Sequence, residues 1–170
     1  MSVRPTYTGS VPEDDISFER DYDLPVSIVW DALVDDVLVE GWLAAATIDP
    51  RVGGQYLLNW QSGSTLRPTA GVITVLEPRR RLRVETDNIG VLDFELESVE
   101  GGTRGTGTTL HLRITVDTDK RMLASTHAYW ESNFDQLEGL LRGHPVNWST
   151  WQRDRGEAFA RYLRAASNGM

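Results

Sequence analysis

Three features are scarce or missing in this chain of 170 residues, and each excludes a class of protein. The first is cysteine, whose absence excludes disulfides, cysteine-based zinc sites and thiol catalysis. The second is a long apolar run: none approaches the ~20 residues of a membrane-spanning helix, and Met1 to Ser17 contains no apolar signal segment. We therefore expect a cytoplasmic protein with no membrane span.

Positive charge is the third scarce feature. The chain has 17 basic residues against 25 acidic ones, a net charge of -8, and Lys120 is its only lysine. Such a chain repels phosphate backbones. Its densest basic run, Arg79 to Arg81 with Arg83, is short and is interpreted as a solvated turn. We therefore expect no nucleic-acid partner.

The chain also lacks the common catalytic and metal-binding motifs. Its three histidines do not share a short spacing, so neither a metal nor another cofactor is expected. There is no Gly-x-Ser-x-Gly elbow for a serine hydrolase. The glycines of 101–107 lie between two predicted strands, whereas a phosphate-binding loop must lead into a helix.

Hydrophobic periodicity predicts an α+β domain. Residues 16–23 alternate, with Ile16, Phe18, Arg20 and Tyr22 on one face, as in a half-buried strand. Further strands are predicted at 55–60, 70–76, 82–86, 91–99 and 109–116. Two short helices precede them, one over 25–34 and one from Asp35 or Asp36 to Trp42.

The period then changes from two to 3.6 residues. Apolar positions step by four, three, four, three and four over a helix predicted at 120–142, which Gly143 and Pro145 end. These positions are Leu123, His127, Trp130, Phe134, Leu137 and Leu141. This stripe is long enough to cover the apolar face of the strands, which predicts a curved antiparallel sheet of about six strands wrapped around the long helix.

The chain is predicted to hold a flexible lead-in at 1–13, a domain over 14–143 and a helical C-terminal extension of that domain at 144–170. A last helix at about 150–166 carries Trp151, Phe159, Tyr162 and Leu163. As a free tail it would expose much apolar surface. We expect it to dock on its own domain or on a second copy of the chain, which would form a homodimer.

The order of these elements resembles the helix-grip fold of the START-like superfamily, also called SRPBCC. Its short motifs resemble the branch named after the activator of the Hsp90 ATPase (the C-terminal domain), over about 14–143. The residues that carry this resemblance are Glu19-Arg20 before Pro25, Val29-Trp30-Asp31-Ala32-Leu33, Gly41-Trp42, Asp49-x-Arg51-x-Gly53-Gly54, Glu77-Pro78-x-x-Arg81-Leu82, Gly101-Gly102-Thr103, and Trp130 with Leu137. Two features depart from the family: Tyr129 stands where a glycine is usual, and 144–170 extend past the usual end.

The resemblance implies that the space between sheet and long helix holds a small hydrophobic or amphipathic molecule. Ligand pockets of this kind are apolar with a few polar groups that orient the ligand. The candidate ligand-binding residues are the large, aromatic or polar side chains predicted to point inward, and no catalytic residue is assigned. They are Arg20, Trp42, Tyr56, Trp60, Phe94, His127, Trp130 and Phe134.

Two of these candidates have competing interpretations. A buried Arg20 needs a partner. It pairs with an anionic group of a ligand, or else it pairs with an acid of the chain itself or reaches water at the end of the strand. His127 is either a general acid or base in the cavity or a histidine of the core or its rim. Two alternative functions follow from the resemblance, a polyketide cyclase or dehydratase-like enzyme and a chaperone-associated or stress-related interaction module.

Overall fold

Seven β-strands and four α-helices make up the part of the chain that the structure, a computed structural model, describes. It describes residues 15–61, 67–116 and 120–168, with the backbone alone for 120–124. The predicted lead-in at 1–13 and the side chain of Leu123 lie outside the described residues. The strands are β1 (Ile16–Tyr22), β2 (Ala45–Ile48), β3 (Gln55–Asn59), β4 (Thr69–Glu77), β5 (Arg81–Thr86), β6 (Val91–Glu100) and β7 (Thr106–Thr115). The helices are α1 (Val26–Val34), α2 (Asp36–Glu40), α3 (Lys120–Leu141) and α4 (Trp151–Asn168), with a single 3₁₀ turn at Trp148–Thr150.

All seven strands form one antiparallel sheet in the order β1-β7-β6-β5-β4-β3-β2. The first strand therefore lies beside the last, and β1 and β2 are the two edge strands. This is one strand more than the sequence predicted. The additional strand, β2, has only four residues and no alternation of apolar and polar side chains, so only its pairing with β3 defines it.

The ends of the helices follow local chemistry. Asp35 caps α2, because its Oδ1 accepts hydrogen bonds from the backbone N–H groups of Val37 at 2.9 Å and Leu38 at 3.3 Å. This helix ends at Glu40, so Trp42 lies in the following turn rather than in the helix as predicted. Gly143 ends α3 as expected, with a φ of 89° that favours glycine.

The apolar face of the sheet is covered by α3. Trp130, Phe134 and Leu137 are buried in the same core as Phe94 and Leu112 of the sheet. The alternate positions of β6, such as Glu95 and Glu97, are exposed on the outer face. The core is therefore one layer of side chains between the sheet and α3, with α1 and α2 packed into it from one end.

The C-terminal extension packs on α3 of its own chain. The ring of Phe159 on α4 lies 4.8 Å from that of Tyr129 on α3, so the two departures from the family pattern contact each other. The Trp148 indole donates to the carbonyl of Glu40 at 2.7 Å, and Val146 N–H donates to the carbonyl of Gly41 at 2.9 Å. A homodimer through this extension stays a prediction.

A buried amide joins three segments of the fold. Gln136 on α3 is 4% exposed. Its Nε2 donates to the carbonyl of Trp42 at 2.7 Å, and its Oε1 accepts from the Trp151 indole at 2.8 Å. Because buried polar groups are costly when unpaired, this one side chain ties the turn after α2 and the start of α4 to the long helix.

We predict that Gln136→Leu lowers the free energy of unfolding by about 2–4 kcal/mol, since it leaves the Trp42 carbonyl and the Trp151 indole without partners. Urea denaturation followed by circular dichroism measures the change. The matched control is Gln152→Leu on the exposed face of α4, which is expected to have little effect. Equal stabilities of the two variants would contradict the role assigned to Gln136.

Candidate functional site

The outer face of the sheet carries charges that neutralise one another. Arg81 makes a two-point ion pair with Asp93, at 3.0 and 2.8 Å, and Arg80 pairs with Glu77 at 2.7 Å. Arg79 has a φ of 67°, so the basic run begins on a tight turn, as the sequence predicted. A groove of about 570 Å³ on this face is lined largely by polar side chains such as Arg81, Glu95 and His111, which does not match the apolar site predicted from the sequence.

Four of the eight candidate residues form one aromatic cluster between the sheet and α3. Trp42, Phe94, Trp130 and Phe134 are all buried. The Trp42 and Phe134 rings are stacked at 6.4 Å, Phe94 lies edge-on to Trp130 at 6.3 Å, and Trp130 lies 5.8 Å from Phe134. Such offset and edge contacts are favourable arrangements of rings, so these side chains contribute to the core whether or not a ligand binds there.

Two candidates also hold the end of α1. The last carbonyl groups of a helix lack partners within it. Here the Trp42 indole donates to the carbonyl of Ala32 at 2.8 Å, and the Tyr56 hydroxyl donates to that of Leu33 at 2.6 Å. Burial raises the pKa of Tyr56, so its hydroxyl stays protonated and can donate.

Trp60 lies just after β3 and is only half-buried. Its indole donates to the Thr69 hydroxyl at 2.9 Å, and that hydroxyl donates to Asn88 at 2.6 Å. Among the described residues, no ring contact joins Trp60 to the aromatic cluster. Trp60 therefore packs at the border of the shared core and not within the aromatic cluster.

Arg20 has a partner within the chain. Its guanidinium pairs with the carboxylate of Glu131 on α3, and the two side chains are 34% and 24% exposed. It also lies 5.4 Å from the ring centre of Phe134 and 5.8 Å from that of Phe18. Of the two interpretations of Arg20, the internal acid is the one present in this structure. The pair joins the edge strand β1 to the covering helix.

His127 lies near this pair, one turn before Glu131 on α3. Its ring is half-buried and 5.0 Å from that of Phe18. Burial lowers the pKa of His127, and the positive charge of Arg20 lowers it further. The ring is therefore neutral at pH 7, which leaves one nitrogen able to accept a hydrogen bond.

Sequence reasoning did not select Tyr22, although it placed this residue on the inward face of β1. Tyr22 is 7% exposed, and its hydroxyl has no hydrogen-bond partner among the described residues. Burial raises the pKa of this phenol, and the charge of Arg20 opposes that shift. The sequence did indicate that Tyr22 lies on the same strand face as Arg20. That its hydroxyl lacks a hydrogen-bond partner among the described residues is visible only in the folded structure.

A curved antiparallel sheet that grips a long helix, with an aromatic interior bordered by a few polar groups, defines a protein of the helix-grip, START-like class. A family model described as "Activator of Hsp90 ATPase homolog 1-like protein" matches residues 23–142. The chain belongs to this family.

Solved structures agree with this assignment. The crystal structure of CalU16 from Micromonospora echinospora is 30% identical to this chain; the match covers 88% of each chain, with a TM-score of 0.59. The solution structure of CalU16 is 25% identical; the match covers 91% of this chain and 83% of that one, with a TM-score of 0.64. A solution structure from Bordetella parapertussis (gene BPP1335) shares the fold at 19% identity, 98% and 91% coverage and a TM-score of 0.68. DynU16, from the dynemicin biosynthetic locus, shares it at 21% identity, 79% and 49% coverage and a TM-score of 0.59.

No curated protein matches the chain. In the described part of the chain, no helix is long and apolar enough to cross a membrane.

We predict that removing two buried phenol hydroxyls changes the free energy of unfolding differently. Tyr56→Phe is expected to lower the free energy of unfolding by about 1–3 kcal/mol, because the Leu33 carbonyl loses its partner. Tyr22→Phe removes a hydroxyl without a partner and is expected to leave stability equal or higher. Chemical denaturation of both variants measures this, and destabilisation by Tyr22→Phe to the same degree would contradict the environment described for Tyr22.

We predict that His127 titrates below its ordinary pKa of 6.5. Its neutral form is favoured in the fold, so the stability it contributes is present above pH 6.5 and is lost as the pH falls through the lowered pKa. Arg20→Gln removes the nearby cation and is expected to raise the pKa of His127. An NMR titration of the imidazole C–H signals measures both values, and an unchanged midpoint in the variant would argue against coupling to Arg20.

Proposed function

We propose that this protein binds a small apolar or amphipathic molecule between the sheet and α3. The observation that carries the proposal is that the polar side chain of Arg20 lies against Phe134 of the aromatic cluster. Tyr22 shares the inward face of β1 with Arg20, and His127 lies against Phe18 of the same strand. An apolar body with a few convergent polar groups is the usual chemistry of a small-molecule site. Membership of the family supports the proposal at the level of fold, although fold alone does not define function.

The eight candidate residues would have different roles in this site. Phe94, Trp130 and Phe134 would supply apolar ring surface, and Arg20 and His127 would orient polar atoms of the ligand. Trp42 and Tyr56 donate their hydrogen bonds to the chain itself, so they would offer their rings only. Trp60, outside the aromatic cluster, would contribute only if the ligand extended towards the end of β3.

A bound molecule would replace some of the ring contacts within the cluster. The rings of Trp130 and Phe134 touch each other as well as Trp42, so a ligand would have to separate them. We infer that the ligand would enter at the seam between β1 and α3. There the covering helix meets an edge strand through Arg20 and Glu131, which are already partly exposed.

An enzyme of the cyclase or dehydratase kind is the second candidate, and His127 is the observation that favours it. A neutral imidazole beside a guanidinium could accept a proton while the cation stabilises the resulting anion. DynU16 comes from a biosynthetic locus, which makes biosynthetic metabolites a suitable class of substrate to test. Loss of turnover with retained binding in His127→Ala would distinguish the enzyme from a simple binding protein.

We predict that a panel of hydrophobic metabolites and lipids, including decan-1-ol, contains compounds that raise the melting temperature of this protein. A ligand at 100 times its Kd stabilises by about 2.7 kcal/mol, which corresponds to roughly 5–11 °C for a domain of this size. Differential scanning fluorimetry measures the shift.

Phe134→Leu, in the aromatic cluster, is expected to reduce this shift relative to its own ligand-free melting temperature. The control Val72→Leu changes an exposed apolar side chain of β4 and is expected to retain the full shift. Melting temperatures that stay unchanged with the entire panel would contradict the proposed function.

A further inference from the structure

A charged pair lies where the core would otherwise be closed by apolar side chains. Arg20 occupies the inward face of β1 between Phe18 and Tyr22, which are both buried. Its partner Glu131 comes from the opposite layer, α3, rather than from the sheet. The guanidinium also rests against the rings of Phe18 and Phe134. The pair thus places the Glu131 carboxylate, bound to the Arg20 guanidinium, at the edge of the aromatic cluster.

A second hydrogen-bond donor, the Tyr22 hydroxyl, belongs to the same face of β1 as Arg20 and has no acceptor among the described residues. Tyr22 follows Arg20 by two residues on the same face, and the two interact electrostatically. The Tyr22 hydroxyl is buried and has no partner among the described residues. Buried polar groups in proteins almost always have partners. An unpaired phenol two residues from Arg20, on the same face of β1, therefore points to an acceptor that the described side chains do not supply.

We propose that the ligand is a carboxylic acid with an apolar body, whose carboxylate replaces that of Glu131 on Arg20 and accepts a hydrogen bond from Tyr22. This inference rests on the proposed function and specifies its ligand class. A guanidinium can bind a carboxylate through two parallel hydrogen bonds. Here a single nitrogen of Arg20 donates to a single carboxylate oxygen of Glu131. The apolar body would lie against Phe18 and Phe134.

The charges around the seam are compatible with this exchange. The negative charges of two further acids of α3, Asp135 and Glu138, raise the pKa of Tyr22. Each has a partner of its own: Asp135 is bound by Tyr162 and by Arg155 at 3.4 Å, and Glu138 by Arg142 at 2.8 Å. Of these three cations, Arg20 is the one that lies against rings of the interior, those of Phe18 and Phe134. It is therefore the cation that an incoming acid with an apolar body can take.

The test compares decanoate with decan-1-ol, which share a chain length but differ in charge. Isothermal titration calorimetry on the full chain is expected to show decanoate binding about tenfold more tightly, as a charge-assisted hydrogen bond provides. Arg20→Gln should remove this preference, so that decanoate binds no more tightly than decan-1-ol. Tyr22→Phe should weaken decanoate binding without loss of stability, because the hydroxyl that it removes has no partner in the fold.

Glu131→Gln gives the most specific result. Removal of the competing carboxylate is expected to strengthen decanoate binding severalfold and to leave decan-1-ol binding unchanged. The matched control is Glu157→Gln on the exposed face of α4, which should change neither. Circular dichroism establishes that each variant is folded, and Arg20→Lys, which keeps the charge but loses the planar fork, should bind decanoate with intermediate affinity.

The outcomes separate this inference from the proposed function. If wild type binds both probes equally and Glu131→Gln changes neither, the Arg20–Glu131 pair is a structural clamp and the inference is overturned while the proposed function stands. If neither probe binds and no compound of the hydrophobic panel raises the melting temperature, the proposed function itself fails.

Discussion

The requirement to cover one apolar face of a curved sheet is the constraint on which the rest of this structure depends. Seven antiparallel strands present a continuous apolar surface, and α3 lies across it with Trp130, Phe134 and Leu137 buried. The hydrophobic effect drives this contact because it is proportional to the apolar area removed from water. The aromatic cluster exists because large rings fill the space between a curved layer and a straight helix.

The polar groups inside this contact differ in whether the fold itself satisfies them. Both the amide nitrogen and the amide oxygen of Gln136 are hydrogen-bonded, to Trp42 and Trp151 respectively. The Tyr56 hydroxyl donates to a carbonyl at the end of α1. These groups are part of the architecture. Tyr22 has no partner among the described residues, and Arg20 is held by a partly exposed acid. Polar groups that the fold leaves incompletely satisfied are the better candidates for recognition, because their remaining hydrogen-bonding capacity is free for a ligand.

The C-terminal extension explains a departure from the family pattern. The resemblance drawn from the sequence places a glycine where this chain has Tyr129, and the Tyr129 ring packs on Phe159 of α4. A glycine would leave that contact empty, so the larger residue and the additional helix belong together. On the same helix, Asp135 binds Tyr162 and Arg155 of α4. The extension thus packs on α3 through Tyr129 and Asp135, which lie outside the buried stripe of that helix.

Periodicity in the sequence predicted the α+β class, six of the seven strands and the stripe on α3, because periods of two and 3.6 residues are local properties of the chain. It did not indicate β2, whose four residues Ala45–Ile48 have no pattern of their own. It identified Arg20 as an unusual residue but not its partner, since Glu131 is 111 positions away. Which polar groups find hydrogen-bond partners became visible in the folded chain alone, because hydrogen bonding between β1 and α3 depends on how two distant segments pack together.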